Sequence, residues 1–322
     1  MLNLLLRETR TFRAVHALDL PSDWQAPDDV IWIELISPER HEEAAIESAL
    51  RLDLPTSREM AQIEPSSRLY IEGGATFMTA SLLSRSEEEH PVLTPVTFVL
   101  ANGRLITLRY EPLRAFSAFS QRLSGPDYEE ASGADLFLDL LDAVIERLAE
   151  VLERGSARVQ ASSNAIFDRP RGAAFEPLLT SLARTQSLAA LARTSLASLA
   201  RLASFAALAP EIAGKPSAQA HLASVQQDIQ SLTEHAAAQS AHISFLLDAA
   251  LGLINIEQNV SIKTFSVFTV LLMPPTLIGA IYGMNFEVMP ELNWPWGYPL
   301  ALGLMVVSGV APLLWFRRKG WF

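Results

Sequence analysis

The sequence predicts an α+β N-terminal domain, then one very long helix, then a two-helix membrane hairpin at the C-terminal end. Three observations carry this. Up to about Glu111, β-branched and aromatic runs alternate with turn residues. From Ala134 apolar residues recur at three- and four-residue spacing, and no proline interrupts the chain between Pro216 and Pro274. No charge occurs from Thr264 to Phe286, nor again from Leu292 to Phe316. Each uncharged stretch suffices for a helix of ~20 residues crossing a hydrocarbon core of ~30 Å.

The elements follow in chain order. Leu2 to Leu6 is a short apolar run followed by Arg7, Glu8 and Arg10, with no basic segment ahead of it, and is not expected to be a cleavable signal. Strands are predicted at residues 30–35, 69–71, 75–80, 96–100 and 104–108, and Asn102-Gly103 marks a hairpin between the last two. Ser37-Pro38 opens a helix in cap-then-proline order, with Glu39, Glu42 and Glu43 near its positive end. Pro55 precedes a second short helix. Helices are predicted over residues 136–148 and 175–208, the second Ala-, Leu- and Ser-rich and suited to an antiparallel hairpin. Breaks fall at Arg169-Pro170-Arg171-Gly172 and between Pro210 and Pro216. A helix from Pro216 to Pro274 would be ~85 Å long at 1.5 Å per residue. No small core buries that length, so it packs on copies of itself or protrudes, and it runs straight into the first span.

The predicted organisation is therefore a cytoplasmic α/β domain at 1–133 and cytoplasmic helices packing on the stalk at 134–215. A long stalk helix follows at 216–263, a first transmembrane helix at 264–282 and an extracytoplasmic loop at 283–297. A second transmembrane helix at 298–316 and a basic tail at 317–322 complete it. Arg317, Arg318 and Lys319 beside the second span place the C-terminus in the cytoplasm, and two spans bring the N-terminal domain to the same side. The absence of cysteine suits a cytosolic domain and removes thiolate metal sites. A net charge of -11 argues against a nucleic-acid partner. No phosphate-cradling Gly-rich loop ending in Lys-Ser or Lys-Thr argues for an ATP-driven pump, and no nucleophile, base and orienter set argues for an enzyme.

Steps of three and four along the long helix define one face: Gln227, Gln230, Glu234, Ala237, Ala241, Ser244, Asp248, Leu251, Asn255, Asn259, Ile262, Ser266, Thr269, Met273 and Thr276. Its lower part is polar or small, and its upper part mixes apolar residues with hydroxyls. A helix lining a water-filled axis fits this pattern; a solvated face explains the residues up to Asp248 nearly as well. Hydroxyls at Ser266, Thr269 and Thr276 inside the span are expected to find a cavity or a neighbouring helix.

Tyr282-Gly-Met-Asn-Phe-Glu-Val-Met-Pro-Glu-Leu followed by Trp296-Gly-Tyr-Pro resembles the CorA family of divalent-cation channels, whose signature is Gly-Met-Asn after the first span. The likeness extends more loosely through Trp32-Ile-Glu-Leu, Val96-Thr-Phe-Val-Leu and Glu111-Pro-Leu to essentially the whole chain. The resemblance implies a funnel-shaped homopentamer in membrane lipid, with the first spans around the axis and Mg²⁺ as the transported ion; no cofactor is required. Gly283, Met284 and Asn285 are then the selectivity residues. Five neutral Asn285 amides can accept hydrogen bonds from the waters of a hydrated Mg²⁺, an ion that gives up water reluctantly. Gly283 is expected to let the backbone leave the helix with positive φ. Glu287 and Glu291 would concentrate cations at the outer mouth. Asp248, Asn255, Asn259, Ile262, Phe265, Ser266, Thr269, Met273 and Thr276 would line the pore, with Ile262 and Phe265 as an apolar collar that gates by dewetting. Trp294, Trp296 and Tyr298 suit interfacial anchoring.

The chain departs from the family where well-known members place two acids that bind regulatory Mg²⁺ between cytoplasmic domains. Those positions fall here at Met60, beside a retained Glu59, and at Ser224. Instead His221, Asp228, His235 and His242 recur at seven-residue spacing, ~10 Å apart along a helix, so any shared ion needs ligands from another helix or subunit. Glu59, His235 and His242 are candidates for a weak regulatory metal site. A Zn²⁺, Co²⁺ or Ni²⁺ transporter of the same superfamily and a non-conducting membrane-anchored scaffold or sensor are the competing readings. The intact Met284 and Met289-Pro-Glu-Leu favour magnesium.

Overall fold

The computed structural model describes residues 2–8, 11–17, 24–62, 64–123, 132–168, 173–285, 287 and 289–320. It divides into two units: Met1–Phe167 with Glu176–Leu246, and Asp168–Phe175 with Leu247–Phe322.

The first unit is built on a seven-stranded sheet. Its strands are β1 (Leu2–Glu8), β2 (Thr11–Ala17), β3 (Val30–Ile36), β4 (Leu69–Glu72), β5 (Ala75–Ser84), β6 (Val92–Ala101) and β7 (Arg104–Arg109), in the order β2-β1-β3-β7-β6-β5-β4. Only β3–β7 is a parallel pair; the other pairings are antiparallel. Asn102 (φ 52°) and Gly103 (φ 75°) turn β6 into β7, the two positive φ values that a tight hairpin needs. Pro95 is tolerated in β6 because it lies where that strand pairs with β5 alone; pairing to β7 begins at Val96.

Alternation along the strands feeds two cores. Val96, Phe98 and Leu100 enter one, and Val99 and Ala101 the other. The smaller core packs Ile33, Leu35, Phe77 and Ile106 under Ile46 of α1 (Arg40–Leu50) and Met60 of α2 (Ser57–Met60). A single-turn helix, α3 (Pro65–Arg68), leads into β4. The larger core gathers Trp32, Phe98, Phe116 and Phe137 under α4 (Arg114–Leu123), α5 (Gly133–Phe167) and α6 (Glu176–Ala206). The start of α5 is fixed against β7: the Gly133 N–H donates to the Gly103 carbonyl at 2.9 Å, and a Cβ at 133 would collide with the backbone of Arg104 and Leu105. The small residues on α6 let it lie close on the sheet, where the Ser81 N–H donates to Ser198 Oγ at 2.9 Å. Within the sheet, Arg109 and Glu34 form a buried ion pair at 2.9 Å, with Asn3 donating to the same carboxylate and Phe116 under the guanidinium.

After α7 (Pro210–Ala213), α8 (Pro216–Tyr282) runs for 67 residues, through both Pro274 and Pro275. Leu222, Val225, Ile229 and Ala236 of α8 join the larger core. In the second unit α8 continues, a 3-10 turn forms at Pro290–Asn293, and α9 (Gly297–Arg318) closes the fold. Both α8 and α9 contain a stretch long and apolar enough to cross a membrane.

Three sequence expectations are corrected. The first two strands were not anticipated, because β1 is apolar on both faces: Leu2 and Leu4 join one core and Leu5 the other, so no alternation shows. Helix α1 is capped by Glu39 with Glu42 in a reciprocal capping box, not by Ser37, whose φ is 44° and whose hydroxyl donates to the Tyr110 carbonyl. Gly283 is not among the positive-φ glycines; its N–H still donates to the Gly279 carbonyl at 3.0 Å, so helical bonding persists to the start of the loop. The expected break at residues 169–172 lies outside the described residues.

Candidate ion pathway

Helix α8 has two different sides through its first half. Leu222, Val225, Ile229, Ala236, Gln239, Ile243 and Leu246 are buried. The opposite face carries Gln227, Gln230, Glu234, Ala241, Ser244 and Asp248, all exposed. The buried side is set by more than apolar contact: Gln239 Nε2 donates to the Leu152 carbonyl and to Ser156 Oγ, both at 3.0 Å, and Gly155 of α5 gives the amide room. These bonds fix the rotation of α8 and keep the polar face turned away from α5.

In the second unit α8 carries Asn255, Asn259, Ile262, Phe265, Ser266, Thr269, Met273 and Thr276, every one exposed in the single chain. Ile262 is 54% exposed, Phe265 72% and Met273 68%. From Gln258 to Ser266 all residues are exposed, apolar and polar alike. Such a helix is incomplete alone, since its apolar side chains need lipid or other copies.

Two of the hydroxyls in this stretch donate within the helix. Thr269 Oγ1 donates to the Phe265 carbonyl at 2.9 Å and Thr276 Oγ1 to the Leu272 carbonyl at 2.7 Å. Their protons are satisfied within the helix, so they do not by themselves demand a cavity. What remains is acceptor capacity, lone pairs that can receive hydrogen bonds from water.

At the end of α8 the chain presents Gly283, Met284 and Asn285, with Met284 49% exposed and Asn285 exposed. Glu287 and Glu291 are exposed on the same loop, and Glu291 also accepts the Trp294 N–H, which helps close the 3-10 turn. Trp294, Trp296 and Tyr298 are 54%, 69% and 76% exposed around the start of α9. At its far end, Arg317 and Arg318 close α9, and the Lys319 ammonium lies 5.9 Å from the Trp315 ring.

The candidate regulatory residues are not brought together. Glu59 caps α2: its carboxylate accepts the Thr56 N–H and hydroxyl, both at 2.8 Å, and these bonds hold its pKa below the usual value. Met60 is fully buried in the smaller core. His235 Nε2 lies 3.1 Å from Ser156 Oγ, and His242 is exposed. A different trio does assemble among the described residues: Asp139 and Asp142 of α5 with His221 of α8, their ligand atoms all within 4.8 Å of one another. His221 stood out in the sequence by its seven-residue spacing. The two aspartates, one turn apart inside an apolar helical run, gave no comparable signal.

Residues 27–318 match the family of CorA-like Mg²⁺ transporter proteins. The magnesium transport protein CorA of Mannheimia succiniciproducens is 35% identical over 291 residues, covering 90% of this chain and 92% of that protein. Among solved structures, the complete CorA magnesium transporter of Methanocaldococcus jannaschii aligns with a TM-score of 0.77 over 100% of this chain and 99% of that one, at 16% identity. The full-length CmaX protein aligns with a TM-score of 0.71 over 99% and 97%, also at 16% identity. At such identities the two structures speak for the fold.

Proposed function

The chain belongs to the family of CorA-like Mg²⁺ transporter proteins, and from that membership we propose that it is an integral membrane protein carrying Mg²⁺ down its electrochemical gradient. The observation that carries the mechanism is the exposed face of α8. It runs through Asp248, Asn255 and Asn259 to Ser266, Thr269 and Thr276, and it ends at Gly283-Met284-Asn285. In a homopentamer with α8 at the axis, each of these residues becomes a ring of five. The amide oxygens of Asn285 accept hydrogen bonds from the inner waters of the ion, so Mg²⁺ is recognised without being stripped. The threonine hydroxyls, their protons already given to the helix, offer the same acceptor chemistry deeper in the path. Glu287 and Glu291 raise the local cation concentration at the outer mouth. Ile262 and Phe265 form the apolar collar that closes the path by dewetting.

Residues 264–282 and 298–316 are the two spans, and 283–297 is the extracytoplasmic loop between them. The basic residues that end α9 keep both termini on the cytoplasmic side of a plasma or inner membrane. No enzymatic step and no cofactor enters this account. Mg²⁺ is the cargo, and membrane potential is the driving force.

Uptake into sealed proteoliposomes tests the proposal, comparing Mg²⁺ with Zn²⁺, Co²⁺ and Ni²⁺, with and without an imposed pH gradient. Potential-driven Mg²⁺ entry without dependence on the pH gradient is expected. Asn285→Ala is expected to abolish Mg²⁺ entry while the assembly elutes unchanged. Near-normal Mg²⁺ flux through correctly assembled Asn285→Ala protein would remove the selectivity ring. Entry of Zn²⁺ but not Mg²⁺ would reassign the cargo.

A further inference from the structure

The trio Asp139, Asp142 and His221 lies within the first unit, where α8 meets α5. Asp139 and Asp142 are three residues apart on α5 and therefore share a face. His221 sits in the second turn of α8 and reaches that face, with Nε2 2.6 Å from Asp142 Oδ2. All three are half-buried. Asp142 and His221 line a cleft of about 450 Å³ whose lining also includes Asp228, Ser224 and Glu146 and contains no lysine or arginine. Glu146 is already answered by Arg122 at 2.9 Å, while Asp228 lies two turns beyond His221 on the same stripe.

We propose that Asp139, Asp142 and His221 bind a first-row transition-metal ion of the Zn²⁺ class, clamping α5 to the first turns of α8. One imidazole with two carboxylates is a common donor set for such an ion, with bonds of ~2.0–2.2 Å and water completing the shell. Ligands of one ion then stand up to ~4 Å apart, and half-buried side chains need only small torsional changes to close from 4.8 Å. The ion takes the place of the hydrogen between His221 Nε2 and Asp142, leaving the imidazole proton on Nδ1. The imidazole sets the selectivity. Mg²⁺ seeks an octahedral all-oxygen shell and keeps its waters, whereas Zn²⁺, Co²⁺ and Ni²⁺ accept nitrogen readily. The site is thus matched to a different ion from the proposed cargo, and it goes beyond the transport reading. Because α5 and α8 meet here across 79 residues of sequence, a bound ion stabilises their pairing by mass action.

The test uses the full-length chain, purified in detergent and stripped with EDTA. Zn²⁺ is titrated against a chromophoric chelator with millimolar Mg²⁺ present throughout, and thermal unfolding is followed with and without Zn²⁺. The expected result is a Zn²⁺ site in each chain that survives excess Mg²⁺ and raises the Tm. Its affinity falls at least tenfold in His221→Ala and in Asp139→Asn, and the Tm shift disappears in both, while the surface variant His41→Ala matches the parent. Should His221→Ala fail to fold, Asp139→Asn and His221→Gln carry the test. Affinity and Tm shift equal to the parent's in the folded variants would overturn the assignment, as would displacement of Zn²⁺ by Mg²⁺. Neither result depends on whether the proteoliposomes pass Mg²⁺, so the transport reading and this site fail separately.

Discussion

Asp135 shows how one carboxylate sets where a helix begins. It accepts the Ser132 N–H at 2.8 Å and the Ser132 hydroxyl at 2.6 Å, closing the first turn of α5, and Lys215 reaches it at 3.1 Å from the start of α8. Burial pushes its pKa up, but the two Ser132 hydrogen bonds and Lys215 outweigh that and hold it below the ordinary aspartate value. A depressed folded-state pKa contributes stability that is complete above the unfolded pKa and is lost as pH falls through the folded one. Asp135→Ala is therefore expected to cost about 1 kcal/mol near neutral pH, the usual penalty for a lost cap. The gap between variant and parent should close at a pH well below the ordinary aspartate value, where the native carboxylate also protonates. Thermal unfolding of the detergent-solubilised protein at the two pH values measures this, and an equal gap at both would deny the carboxylate its role. Glu59 teaches the complementary lesson. The family resemblance suggested a metal ligand, yet its two acceptor bonds to Thr56 already make it a capping residue. Sequence supplies the residue type at a position; whether a neighbour has already claimed the side chain is a matter of local geometry.

At the scale of elements, hydrophobic period and turn chemistry exposed most of the architecture. The Asn102-Gly103 hairpin, the uninterrupted α8 and the two apolar stretches were all legible because each depends on local pattern alone. The pairing of β1 and β2 was not, since a strand with apolar residues on both faces shows no period of two. Packing of α8 against α9 was also invisible, and it turns on a chemical detail. Pro274 and Pro275 lack N–H groups, which removes the helical donors for the carbonyls of Val270 and Leu271. Gly309 of α9 sits against the second of these: a Cβ there would lie 3.5 Å from the Leu271 oxygen and 3.6 Å from the Pro275 ring. Glycine thus lets α9 approach the stretch of α8 that the prolines alter, as small residues do between membrane helices. A Cβ alone would sit there in ordinary van der Waals contact, so crowding comes from a side chain that extends beyond it. Gly309→Leu is expected to cost about 1–3 kcal/mol, the range for overpacking, and to lower the Tm in detergent, while Gly303→Leu, at a glycine with nothing near its Cβ position, leaves it within a degree or so of the parent. Equal behaviour of the two variants would remove the close approach from the account.

For the whole molecule, the question left by the single chain is how copies of it are controlled once assembled. The family resemblance would put regulatory acids at two positions that hold Met60 and Ser224 here. Met60 is fully buried among the side chains of the smaller core, so even its position is closed to an ion. Ser224 lines the cleft beside His221 but brings no charge. Glu59 is exposed, its Oε2 engaged with the cap by both Thr56 bonds and its field screened by salt over about 10 Å. None of the three offers Mg²⁺ the dense oxygen shell it requires. Millimolar Mg²⁺ is therefore expected to change protease sensitivity and conductance little, whereas a metal that accepts imidazole should protect the α5–α8 junction. Limited proteolysis and proteoliposome flux across a Mg²⁺ titration, with EDTA as the baseline and Zn²⁺ as the comparison, separate these outcomes. Flat Mg²⁺ curves with Zn²⁺ protection would locate control at the histidine-bearing face of α8. Strong, saturable protection by Mg²⁺ that disappears in Glu59→Gln would instead show that Glu59 recruits oxygen ligands from a neighbouring copy, and the loss of Met60 and Ser224 as acids would then count for nothing in regulation.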